Sequence, residues 1–175
     1  MNDLGQLLSI VGKGVAVLVV LSIAWKLVAF VRHKRTIAQR KRELKVFAED
    51  VVRNGTIDQV ADCPILLQAD EAAVWSERTT LFEPRAVRRR INGVSRSFQR
   101  WEAISDGTLV LTTKRLVFDG DTVNRTIPFN KLLSSQSTPS GDEIHVASSS
   151  RQKEMAFSSR NSFLLSWLLD FLARQ

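Results

Sequence analysis

Gly107-Thr108-Leu109-Val110-Leu111-Thr112-Thr113-Lys114-Arg115-Leu116-Val117-Phe118 reads as two short strands and the link between them. Leu109 and Leu111 fall on one face of the first strand, Val110 and Thr112 on the other, and Leu116 and Phe118 repeat the pattern in the second. The short Thr113-Lys114 link makes the pair an antiparallel hairpin, and Asp119-Gly120-Asp121 supplies the next turn. The same grammar extends outward on both sides. Upstream, residues 72–82 predict a first strand that ends at Glu83-Pro84. Downstream, Val123, Arg125 and Ile127 predict a strand closed by Pro128, followed by strands over 132–137, 143–147 and 153–157. Short strands at this spacing predict a small antiparallel barrel or sandwich.

The chain closes on a helix expected from about Arg160, with Ser158 or Ser159 as its N-cap. Phe163, Leu164, Trp167, Leu168, Phe171 and Leu172 form so wide an apolar face that it must be buried. The expectation is a helix that caps the barrel; the rival reading lays it in a membrane interface.

The N-terminus follows a different rule. Residues 4–31 are apolar apart from Lys13 and Lys26, and Arg32-His33-Lys34-Arg35 follows at once. From Lys13 to Lys26 a helix rises about 20 Å, and lysine stems reaching outward make up much of a hydrocarbon core of about 30 Å. One transmembrane helix over 1–31 is therefore expected. A cleaved signal peptide is the poorer reading, because its charge precedes the apolar core and a small-residue cleavage site follows it. A soluble core helix would carry a polar stripe.

Residues 32–55 predict a basic juxtamembrane helix with Ile37, Leu44, Phe47, Val51 and Val52 at helical spacing. Arg32, Lys34, Arg35, Arg40, Lys41, Arg42 and Lys45 form its membrane-surface anchor, suited to anionic headgroups. By the positive-inside rule the N-terminus lies outside and the rest is cytoplasmic, at the cell's inner membrane. The block 32–45 holds seven bases and one acid, so it carries most of the formal charge of +7. That arithmetic disfavours a nucleic-acid partner for the remainder. Residues 56–67 read as a connector broken at Cys63-Pro64, which leaves 68–175 as the folded domain.

Strands followed by one strongly amphipathic helix is also the element order of the pleckstrin-homology (PH) superfold. The segment from Gly107 to Phe118, then Arg125-Thr126-Ile127-Pro128 and Lys131, resembles the bacterial PH-like/GRAM-like family. Trp75, Leu81-Phe82-Glu83 and Arg88-Arg89-Arg90 resemble its upstream segment, and Arg151-Gln152-Lys153 with Phe157 its closing strand. Thr113 stands where that family has Asn, and the stretch from Ile91 to Asp106 is shorter. The expected fold class is thus α+β: a transmembrane and a juxtamembrane helix, then a PH-like β-barrel capped by a helix.

The resemblance implies a binding module rather than a catalyst, with lipid headgroups or a protein as partner. Arg85, Arg88, Arg89, Arg90, Arg96 and Arg100 are the candidate phosphate-binding residues, since guanidinium groups take phosphate bidentately. The bland alternative is a solvated strand edge whose charges prevent edge pairing. Lys114 and Arg115 read as hairpin structure, and His145 as an exposed bystander between Ile144 and Val146. No cofactor is implied. One cysteine, Cys63, excludes an internal disulfide, and two histidines in unrelated contexts offer no metal cluster. No nucleophile or dinucleotide motif is present. Two other readings stay open: a membrane-acting exclusion or structural factor, phage-derived for example, whose helix carries the activity, and a tethered nucleic-acid-binding domain. The latter needs a basic, aromatic-bearing face. Self-association through the N-terminal helices is a further expected partnership.

Overall fold

A computed structural model of the chain describes residues 3–54, 56–61, 63–91, 94–150 and 154–174, with the side chains of 3–17, 19, 20, 91 and 96 outside that description. It divides into two compact units, residues 1–39 and 40–175.

Helix α1 runs unbroken over Asp3–Asn54, through both segments read as helical from sequence. In the first unit Leu21, Ile23, Trp25, Leu27 and Phe30 are exposed, and the Lys34 ammonium lies 5.5 Å from the centre of the Phe30 ring. The expected transmembrane helix over 1–31 is corrected here. Among the described residues no helix is long and apolar enough to cross a membrane. The described apolar side chains at 21–31 cover about 16 Å of rise, against about 30 Å of hydrocarbon, and Lys26 interrupts them. The part of that expectation resting on residues 1–17, 19 and 20 lies outside the described side chains. The single-pass inner-membrane placement, with its outside N-terminus, falls with the helix.

The second unit is organised by one antiparallel sheet of seven strands, β1 (Ala73–Ile91), β2 (Val94–Thr112), β3 (Arg115–Gly120), β4 (Arg125–Pro128), β5 (Leu132–Ser137), β6 (Glu143–Ser148) and β7 (Met155–Ser158). Their order is β4-β3-β2-β1-β7-β6-β5. The hairpin read from sequence is β2–β3, with Leu109 opposite Phe118 and Leu111 opposite Leu116. The sheet is a curled half-barrel whose edges are β4 and β5, which corrects the expected small β-barrel. Pro128, without an N–H, ends β4 after four residues, and a 3-10 turn over Phe129–Lys131 carries the chain to the opposite edge.

Helix α2 (Ser162–Leu172) covers the inside of the curl. Leu164, Leu165, Leu168, Leu169 and Leu172 pack against Leu81, Leu109, Leu111, Phe118, Ile144 and Phe157. Each such side chain removed from water contributes about 1.5–3 kcal/mol. The cap of α2 is Asn161, whose side-chain oxygen accepts the Leu164 N–H at 3.3 Å. The two serines expected in that role are engaged elsewhere. Ser158 Oγ accepts the Thr80 N–H, and Ser159 Oγ accepts the Asn161 N–H. In the turn between β5 and β6, Gly141 has φ +73°, and a Cβ there would collide with the Phe163 ring of α2, so only glycine fits.

The last part of α1 belongs to this unit. Val51 is buried, and Leu44 and Phe47 pack against the core. Phe47 meets Trp167 edge-on at 6.1 Å between ring centres, and Lys41 lies 5.4 Å above the Phe163 ring. Arg40 Nη1 donates to Ser140 O at 2.7 Å. Asn161 Nδ2 donates to Arg40 O at 3.0 Å and to Glu43 Oε2 at 3.1 Å.

A buried ion pair fixes the chain entering β1. Arg115 Nε and Nη2 donate to the two oxygens of Glu71 at 2.8 and 3.0 Å. Thr112 Oγ1 and the Gln68 N–H complete the set at 2.6 and 2.7 Å. Burial alone raises the carboxyl pKa, but these hydrogen bonds and the Arg115 charge outweigh it and hold Glu71 down at about 2.

Two predictions follow from these contacts. The folded pKa of Glu71 lies below its unfolded value, so its stabilisation is complete above about pH 5 and is lost as pH falls toward 2. At most about 3 kcal/mol is at stake. Urea midpoints measured at pH 7 and pH 3 should differ less in Glu71→Gln than in the parent chain. Asn161→Ala removes the α2 cap and two bonds to α1 together, and a loss of about 2 kcal/mol is expected in urea unfolding at pH 7.

Candidate functional site

β1 and β2 are each nineteen residues long, far beyond the strands expected from sequence. β7 pairs with β1 only at Leu81 and Phe82, and β3 pairs with β2 only from Gly107 onward. Past those points the two strands pair with each other alone, through Glu83↔Glu102, Arg85↔Arg100, Val87↔Phe98, Arg89↔Arg96 and Ile91↔Val94. The result is a two-stranded arm. From Pro84 to Ile91 it extends about 23 Å. Pro84 did not end the strand because β1 has only one neighbour there, and proline is tolerated on the open side.

All six candidate arginines lie on this arm. Directly opposed residues share a face, so Arg85, Arg100, Arg89 and Arg96 alternate with the Val87–Phe98 rung on one side. The other side carries Arg88 opposite Ser97 and Arg90 opposite Ser95. The side chains of Arg85, Arg88, Arg89, Arg90 and Arg100 are exposed; that of Arg96 lies outside the described residues. Residues 84–101 hold six arginines and no acid.

The root of the arm is held by three contacts. Glu83 and Glu102 form a like-charged rung, and each is neutralised: Glu83 Oε1 accepts Arg125 Nη2 at 2.7 Å, and Glu102 Oε2 accepts Arg85 Nε at 3.1 Å. On the other face Trp101 meets His145 edge-on at 4.8 Å. His145 is half-buried, with Nδ1 3.6 Å from Glu154 Oε1 and Nε2 3.9 Å from Glu143 Oε2, so it is a packing residue rather than a bystander.

The basic residues expected as a membrane-surface anchor do not act as one set. In the first unit Arg32, Lys34 and Arg35 are exposed on α1. In the second, Arg40 and Lys41 dock α1 onto the domain and Lys45 pairs with Glu49 at 3.8 Å, while Arg42 is exposed. Arg115, read as structural, binds Glu71. Among the described residues no group of three or more His, Cys, Asp or Glu is placed to hold a metal ion.

Reading from sequence found the arginines but missed the arm that gathers them. The signal was present in Ile91-Asn92-Gly93-Val94, since Asn-Gly between two strand-forming runs is the strongest short hairpin cue. Asn92 and Gly93 themselves lie outside the described residues. Comparison with known proteins adds nothing to these assignments: no family model matches the chain, and no curated protein matches its sequence.

Because the arm's arginines are exposed and outside the core, removing them should leave the fold intact. The triple variant Arg88→Ala/Arg89→Ala/Arg90→Ala is expected to shift unfolding free energy by less than about 1 kcal/mol in a urea titration. A larger loss would show that these side chains hold the domain together.

Proposed function

We propose that the sheet domain is a non-catalytic, PH-like binding module that takes a phosphate-bearing anionic partner on its β1–β2 arm. The PH-like assignment is supported by the resemblance of residues 107–118 and 125–131 and by an antiparallel seven-stranded sheet with a single helix over its inside. The observation that carries the binding assignment is charge segregation. Residues 46–175 contain sixteen bases and sixteen acids, so they are neutral as a whole, yet six of those bases sit together on an arm without an acid. A long-range count therefore hides a strong local positive field.

Guanidinium groups bind phosphate through paired hydrogen bonds, and serine hydroxyls beside Arg88 and Arg90 add further donors. Lipid headgroups, nucleic-acid phosphates and phosphorylated proteins share that chemistry. The rest of the domain argues for binding rather than turnover. Its buried carboxylates are engaged as Glu71 is, by Arg115, or lie under α2 as Glu77 does, accepting the Arg160 N–H at 3.2 Å. Neither faces the arm's arginines with a nucleophile between them.

Heparin, a polyanion of no particular biological class, tests this reading with the full chain. The parent protein is expected to elute at clearly higher salt than Arg88→Ala/Arg89→Ala/Arg90→Ala. Equal elution of the two would remove the arm as an anion site.

A further inference from the structure

We infer that the β1–β2 arm binds in a groove of double-stranded DNA. This inference rests on the anion-binding reading above and goes one step further, from the chemistry of the ligand to its shape. The decisive feature is that arginines occupy both faces of a ribbon only two strands wide. Arg89 and Arg100 lie on one face, Arg88 and Arg90 on the other, all four exposed, and among the described residues no third strand pairs with the ribbon beyond Phe82 and before Gly107.

A flat surface such as a bilayer meets one face of a ribbon at a time. Charge on the second face then serves no contact. A groove walled by phosphates meets both. The major groove of B-form DNA is about 12 Å wide and 8.5 Å deep and admits a two-stranded ribbon, whose strands lie about 4.8 Å apart. The arm's reach of about 23 Å corresponds to about two-thirds of a duplex turn.

The composition of the arm suits the same occupant. Arginine is the side chain that pairs bidentately with guanine edges as well as with phosphates, and Phe98 and Val87 form an exposed apolar rung suited to thymine methyl groups. Arg85 is held by Glu102, which leaves it at the root as a positioning group. Trp101 meets His145 edge-on at the root, and Phe98 is the one other aromatic residue of 84–101, so the arm lacks the row of aromatic platforms on which single strands stack. The count that disfavoured nucleic acid from sequence averaged the arm with an acidic remainder. The basic, aromatic-bearing face that such a partner requires is the arm itself.

The test uses the full chain, a fluorescently labelled DNA duplex of about 20 base pairs, the matching single strand, and vesicles with and without anionic lipid. Duplex binding is expected, with log K falling linearly as log salt rises, by about 0.9 for each phosphate contact. Arg88→Ala/Arg90→Ala and Arg89→Ala/Arg100→Ala each remove two arginines, from opposite faces, and each is expected to reduce that slope by about two. Failure to bind the duplex, or a slope changed by only one of the two variants, overturns the groove. Preference for the single strand overturns it too. If heparin elution still depends on the arm while anionic vesicles, and not duplex, are bound in an arm-dependent way, the anion site stands and its ligand is a lipid surface. If heparin elution does not depend on the arm, both readings fall together.

Discussion

Burial of α2 against the inside of the curled sheet sets the position of nearly everything else in the domain. Five leucines of an eleven-residue helix have no route out of water except onto Leu81, Leu109, Leu111, Phe118, Ile144 and Phe157. Those residues come from five strands, so a single helix holds the curl that brings β4 and β5 to opposite edges. The polar periphery follows from that placement. Asn161 must cap α2 where the sheet delivers it, and in doing so it meets the backbone of Arg40 on α1. The Glu71–Arg115 pair then fixes the entry to β1 from the far side.

Against this frame the arm is an outlier. It has no core beneath it, and two strands alone are marginally stable in water. Its root is therefore the place where stability has to be supplied, and the Arg125–Glu83, Arg85–Glu102 and Trp101–His145 contacts cluster there. Beyond the root, arginines repel one another.

The interior strands were legible because their alternation is enforced by burial. Residues 107–118 read correctly, since a slip of one residue would turn Leu109, Leu111 or Phe118 to solvent. The arm was illegible by the same logic. Exposed on both faces, residues 84–101 have no apolar period to read, and a proline at position 84 looked like a stop. At the N-terminus the expectation of a membrane span extended the apolar run by snorkelling at Lys13 and Lys26, and the described helix is not long and apolar enough for it. The cap of α2 was placed two or three residues early, at Ser158 or Ser159, because nothing in the sequence shows that the Thr80 N–H takes the first hydroxyl and the Asn161 N–H the second. His145 was misjudged because its partners, Trp101 and Glu154, are distant in sequence.

The double duty of Asn161 has a mechanical consequence. One carboxamide closes the first turn of α2 with its oxygen and grips the Arg40 carbonyl with its nitrogen. Tension applied along α1 thus reaches the start of α2 through this carboxamide, beside the contacts of Lys41 with Phe163 and of Phe47 with Trp167. The grip on α1 and the cap of α2 share one side chain, so loss of that carboxamide loosens the anchorage of both helices at once.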